Sequence, residues 1–131
     1  MRASLLIIAA VLTAIVASGS ALAHHGRASY SNEIITLDAT VTEFRFVNPH
    51  VQIYFTVTNE AGEIEQWQSE LTAPNKLARG GWTKNMFQPG DQIQISGRAA
   101  RNEGKSVAIR KIIMPDGETL PMFEVIDVPL Y

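Results

Sequence analysis

The chain has 131 residues, 11 of them Lys or Arg and 13 Asp or Glu, for a formal net charge of −2 at pH 7. A balance this close excludes a partner held by net charge alone, and the length leaves no room for a second catalytic domain. The absence of cysteine removes disulfides, thiolate metal sites, a cysteine nucleophile and lipoprotein attachment together.

The first 23 residues read as an export signal. Arg2 supplies a positive start, Leu5 to Val16 an apolar run, and Ala21-Leu22-Ala23 a small-residue ending, the three parts of a secretory signal peptide. Ser4 to Ala23 is nearly long enough to span a bilayer, so an uncleaved anchor is the competing reading. Ser18-Gly19-Ser20 and the Ala-x-Ala ending favour cleavage after Ala23. The mature protein is then roughly 108 residues, periplasmic or secreted, with no stable membrane span.

Residues 24–33 form a polar N-terminal arm, and 34–123 the folded domain. From about Ile34 to Val47, apolar and polar side chains alternate at the period of a strand. Asn48-Pro49 interrupts it, because proline removes a ladder donor and biases the preceding residue toward extended geometry. Val51, Ile53, Phe55 and Val57 define a second half-buried strand, Asn59 to Gly62 a hairpin loop, and Glu63 to Leu71 a third strand. Thr72 to Gly80, with a capping residue, an early proline and a terminal glycine, predicts a two-turn helix, and Thr83 to Phe87 a further turn. Pro89-Gly90-Asp91 turns into a fourth strand at Gln92 to Ser96, with Gly97 marking a bulge. Ser106 to Met114 is the fifth strand, followed by Pro115-Asp116-Gly117 and a short extension to Phe123; the tail, 124–131, has no usable period.

Three strands, one short helix and two strands make an all-β domain, in the element order of the five-stranded Greek-key OB-fold barrel. A small β-sandwich is the alternative. Val51, Ile53, Phe55, Val57, Ile93, Ile95, Val107 and Ile109 are expected to share one core.

No phosphate loop, nucleophile elbow or His-x-x-x-His spacing occurs, so the reading is a binding module and not an enzyme. Glu63 and Glu65 share a strand face, the minimum for acid–base work, but read more simply as solvated surface. His24 and His25 become the first mature residues on cleavage. The new α-amino group, with a pKa near 7.7–8.0, can chelate a metal together with the His24 imidazole. His50, at the start of the second strand, supplies a third residue to a nitrogen-rich set suited to copper, with Zn the second choice. Met86, Met114 and Met122 read as core filler. Eight basic residues against two acids lie between Thr72 and Lys111. Of these Lys76, Arg79, Lys84, Arg98 and Arg101 are candidates for an anionic envelope partner. Export argues against nucleic acid, which a basic surface near Trp67, Trp82 and Phe87 would otherwise suggest.

His24-His25-Gly26 after Ala-x-Ala, Asn48-Pro49-His50, Ala73-Pro74-Asn75, Arg79-Gly80-Gly81-Trp82-Thr83 and Pro89-Gly90-Asp91 occur in that order. With these elements the chain resembles a family of small exported bacterial proteins catalogued as a domain of unknown function. Gly81 is an insertion relative to the Arg-Gly-Trp-Thr element of that family. The resemblance implies export and a small β-rich fold, and it carries no activity. The leading reading is an exported periplasmic module that binds copper through His24, His25 and His50. The alternative is an envelope interaction or structural protein that uses the basic face and no metal.

Cleavage between Ala23 and His24 is checked by intact-mass measurement on exported material. The expected product begins at His24, and a membrane-bound product retaining residues 1–23 would remove the free amine from the metal set.

Overall fold

Alternating apolar and polar side chains give five strands and one helix in chain order. They are β1 (Tyr30–Arg45), β2 (Gln52–Thr58), β3 (Ile64–Glu70), α1 (Pro74–Arg79), β4 (Gln92–Ala100) and β5 (Val107–Ile113). The computed structural model describes residues 29–102 and 104–120. The expected signal peptide, His24 and His25, the extension beyond Leu120 and the tail lie outside the described residues. Among the described residues no helix is long and apolar enough to cross a membrane.

The strands form one antiparallel sheet in the order β3-β2-β1-β4-β5. β1 starts four residues earlier than the sequence pattern suggests and serves two neighbours. Ile34 to Thr40 pair with β4, while Thr40 to Arg45 pair with β2. The register with β2 shifts between Val41 and Glu43, so Thr42 is an extra residue in the strand. A one-residue bulge flips the parity of side chains. Ala39 and Val41 therefore face the core before the bulge, and Phe44 and Phe46 pack against it after the bulge.

A second bulge lies between β4 and β5. It falls at Gly97, as the sequence indicates, but the extra residue is Arg110 on the opposite strand, between the pairs Ser96 with Lys111 and Gly97 with Ile109. Gly97 is needed for a different reason: a Cβ there would lie 2.3 Å from the Ala108 carbonyl oxygen.

The sheet does not close into the expected barrel. Among the described residues one isolated parallel bridge links β3 to the start of the β5 side, Gln68 with Ser106, the residue before β5, and the Gln68 N–H donates to the Lys105 carbonyl at 3.0 Å. Side chains take over where the ladder stops. The Ser69 hydroxyl donates to the Val107 carbonyl at 2.6 Å, occupying an acceptor that a continued ladder would have used. Lys105 Nζ lies 2.9 Å from Glu65 Oε1 and 5.4 Å from the centre of the Trp67 ring, whose Nε1 donates to Glu65 Oε2 at 3.0 Å.

The core lies inside the curl. Val51, Ile53, Phe55, Ile93, Ile95, Val107 and Ile109 are buried as expected, joined by Leu71, Leu77, Trp82, Phe87, Ile112 and Leu120; Val57 is only half-buried. α1 begins at Pro74 with Ala73 as its N-cap and makes no side-chain cap hydrogen bond, so Thr72 does not play the expected capping role. The helix is held instead by burial of Leu77 and by the turn that follows. There Trp82 and Phe87 stack edge-on at 5.8 Å, with Phe44 5.0 Å from Phe87.

Two substitutions test this packing in denaturant unfolding. Ile53→Ala should cost about 2–5 kcal/mol, the range for a fully buried aliphatic side chain. Gly97→Ala should cost about 1–3 kcal/mol, because backbone has to move to admit the methyl group. A loss below about 0.5 kcal/mol for either would contradict the register described.

Candidate functional site

His50 is held beside the end of β3 by main-chain bonds of its neighbour. The Val51 N–H donates to the Thr72 carbonyl at 3.1 Å, and the Leu71 N–H to the Val51 carbonyl at 2.8 Å. Val51 is buried, so its packing fixes where the chain emerges from the turn at the cis Asn48-Pro49 peptide. His50 is exposed there, and its Nδ1 pairs with Glu70 Oε1. A carboxylate on Nδ1 orients the imidazole and favours the tautomer with the Nε2 lone pair directed away from it, the arrangement seen behind metal-ligating histidines.

Glu70 also lines a polar cavity of about 190 Å³ together with Tyr30, Gln52, Gln68, Ser69 and Ser106. Tyr30 begins β1, yet the curl of the sheet brings it to the cavity at the edge formed by β3. Arg101 fixes it there: Arg101 Nε donates to the Tyr30 carbonyl at 2.7 Å, and the Arg101 N–H to the Ser29 carbonyl at 2.7 Å. Arg101, expected on the partner-binding face, is thus engaged in tying the start of β1 to the end of β4.

The other candidate basic residues are spread over the fold. Lys76 and Arg79 are exposed on the last turn of α1, and Lys84 is exposed in the turn after it. Arg98 pairs with Ile34 and Ala108 across its strand neighbours. It is half-buried, and its Nε is shielded without a hydrogen-bond partner among the described residues. Glu63 and Glu65 do share a neighbour, Asn59, whose Nδ2 donates to both, at 3.1 and 3.4 Å. Glu65 is not solvated surface, however, since it bonds Lys105 and Trp67. The hydrogen bond from Lys105, followed by that from Trp67, holds its carboxyl below the usual carboxylate range. A carboxylate stabilised in its charged form is a poor proton acceptor, so Glu65 serves as a clasp across the seam.

Among the described residues no group of three His, Cys, Asp or Glu side chains could hold a metal ion. His50 and Glu70 are only two side chains of these types in contact, and His24 and His25 lie outside the described residues. Sequence reasoning missed Glu70 and Tyr30. The hairpin register, with Gln52 opposite Glu70, was the available signal for Glu70. Nothing local in the sequence could have located Tyr30, because only the three-dimensional curl brings it to this cavity.

The family DUF6152, described as a family of unknown function, matches residues 11–109, and the chain belongs to it. No curated protein and no solved structure matches the chain.

Proposed function

We propose that this member of the DUF6152 family is an exported periplasmic module that binds copper through His50 and the histidines at its mature N-terminus. The observation that carries the reading is the His50–Glu70 pair beside the cavity lined by Tyr30. His24 and His25 precede Tyr30 by six and five residues. At no more than about 3.6 Å per residue, both lie within roughly 22 Å of it along the chain, and Tyr30 lines the same cavity as Glu70, the partner of His50. Cleavage after Ala23 would add the α-amino group of His24, which chelates with its own imidazole. Two imidazoles and an amine favour the tetragonal geometry of Cu(II), with Zn(II) next. Glu70 acts as a positioning residue behind His50. The role is binding and not catalysis.

Copper titration of the mature protein tests this, with His24→Ala, His50→Ala, Glu70→Gln and a form carrying one extra residue before His24. Affinity should fall in all four, by roughly 10- to 100-fold for Glu70→Gln as a carboxylate behind a ligand. Unchanged affinity for His50→Ala would confine the metal to the N-terminal segment. Binding no tighter than about micromolar in the unmodified mature protein would sink the copper reading and transfer it to envelope interaction through Lys76, Arg79 and Lys84.

A further inference from the structure

β1 changes partner at Thr40, which is the last residue paired with β4, opposite Gln92, and the first paired with β2, opposite Thr56. β2 continues to Thr58, but the ladder with β1 does not follow it. The gap this leaves is a cleft of about 690 Å³ whose lining includes Thr40, Thr56, Thr58 and Gln92. Its size falls in the range of small-molecule sites.

The lining decides what could enter. Thr40, Thr56 and Thr58 contribute hydroxyls, Gln92 and Gln94 amides, and Asp38 a carboxylate whose Oδ1 accepts from Gln94 Nε2 at 3.0 Å. Ile113, Met114 and Pro115 form an apolar wall at one side. Among the described residues no Lys, Arg or His lines the cleft, so an anionic ligand would meet Asp38 with no compensating charge from them. A lone carboxylate leaves most of the charge of a hard divalent cation uncompensated. An aliphatic chain would strip water from six polar side chains without replacing their hydrogen bonds.

From this lining we infer that the cleft is a binding site for a neutral polyhydroxylated ligand, a sugar unit of disaccharide size. Hydroxyl and amide side chains both donate and accept, which matches sugar hydroxyls that do the same. The Asp38–Gln94 pair presents an acceptor and a donor side by side, as two adjacent sugar hydroxyls require. The wall at Met114 and Pro115 receives the C–H face of the ring. This site is separate from His50 and does not depend on copper.

The test is titration of the purified protein, in the presence of a chelator, with maltose, cellobiose and N,N′-diacetylchitobiose, followed by backbone amide NMR shifts. At least one should bind with a Kd of about 1 mM or tighter, with shifts centred on Thr40, Thr56 and Gln94. Gln94→Ala should weaken that binding roughly tenfold, the loss of one hydrogen bond to the ligand, while its circular dichroism spectrum and melting temperature confirm that it folds. Retention of the protein on cross-linked dextran, lost in Gln94→Ala, would identify a polymer chain as the source of the sugar, and binding of the disaccharide without retention a free sugar. Shifts centred elsewhere, tighter binding of glucose 6-phosphate than of any neutral sugar, or no shift with any of the three at about 50 mM would overturn the inference.

Discussion

One strand has to bond to two different neighbours along its length, and most of the structure is arranged around that demand. β1 is 16 residues long, longer than a strand in so small a domain needs to be. Its first part pairs with β4 and its last part with β2, so the sheet must bend sharply where the partners change. The Thr42 bulge supplies the extra residue at the bend and re-aims Phe44 and Phe46 toward the core. Without it the strict period of two would carry those rings to solvent. Gly97 does the corresponding service on β4, letting the Ala108 carbonyl approach to a distance no side chain would tolerate.

The curl has two consequences for function. It brings the edges β3 and β5 close enough to be clasped by Ser69, Lys105, Glu65 and Trp67, without a continuous ladder. It also brings the start of β1 to the edge formed by β3, so that Tyr30 and Glu70 line one cavity although 40 positions separate them in the chain. The proposed metal set depends on that second juxtaposition, since it puts Tyr30, which follows the proposed N-terminal ligands in the chain, on the same cavity as Glu70, the partner of His50. The cleft at Thr40 arises from the same change of partner, at the point where β2 leaves β1.

The strands, the loops between them and seven of the eight expected core positions were legible in the sequence because they obey local periodicity, whereas Leu71, Leu77, Trp82, Phe87, Ile112 and Leu120 were not placed in that core. Val51 to Val57 and Ile93 with Ile95 could be placed from alternation alone, and Asn59 to Gly62 from turn chemistry. The start of β1 was missed because Tyr30 to Glu33 are not alternately apolar; they are held by pairing with β4 and by Arg101, both long-range. Thr72 was misread as a cap because a residue type suited to capping does not ensure the geometry, and Pro74 with buried Leu77 suffices to hold so short a helix. His50 was legible as a candidate, but its partner Glu70 is set by hairpin register, and the role of Arg101 by a backbone carbonyl 71 positions away. Charge counts along the sequence suggested one basic face, whereas register places Arg98 between Ile34 of β1 and Ala108 of β5, within the sheet.

The central claim is that copper sits where His50, Glu70 and the start of β1 converge, and the paramagnetism of Cu(II) reads that position directly. Substoichiometric copper added to isotope-labelled mature protein should broaden the amide signals of Tyr30, His50, Gln52 and Glu70. Those of Glu60 and Ala61, in the hairpin at the other end of β2, should keep their intensity. Broadening confined to residues before Ser29, with His50 and Glu70 unaffected, would contradict the account and reduce the metal site to a local chelate at the chain terminus.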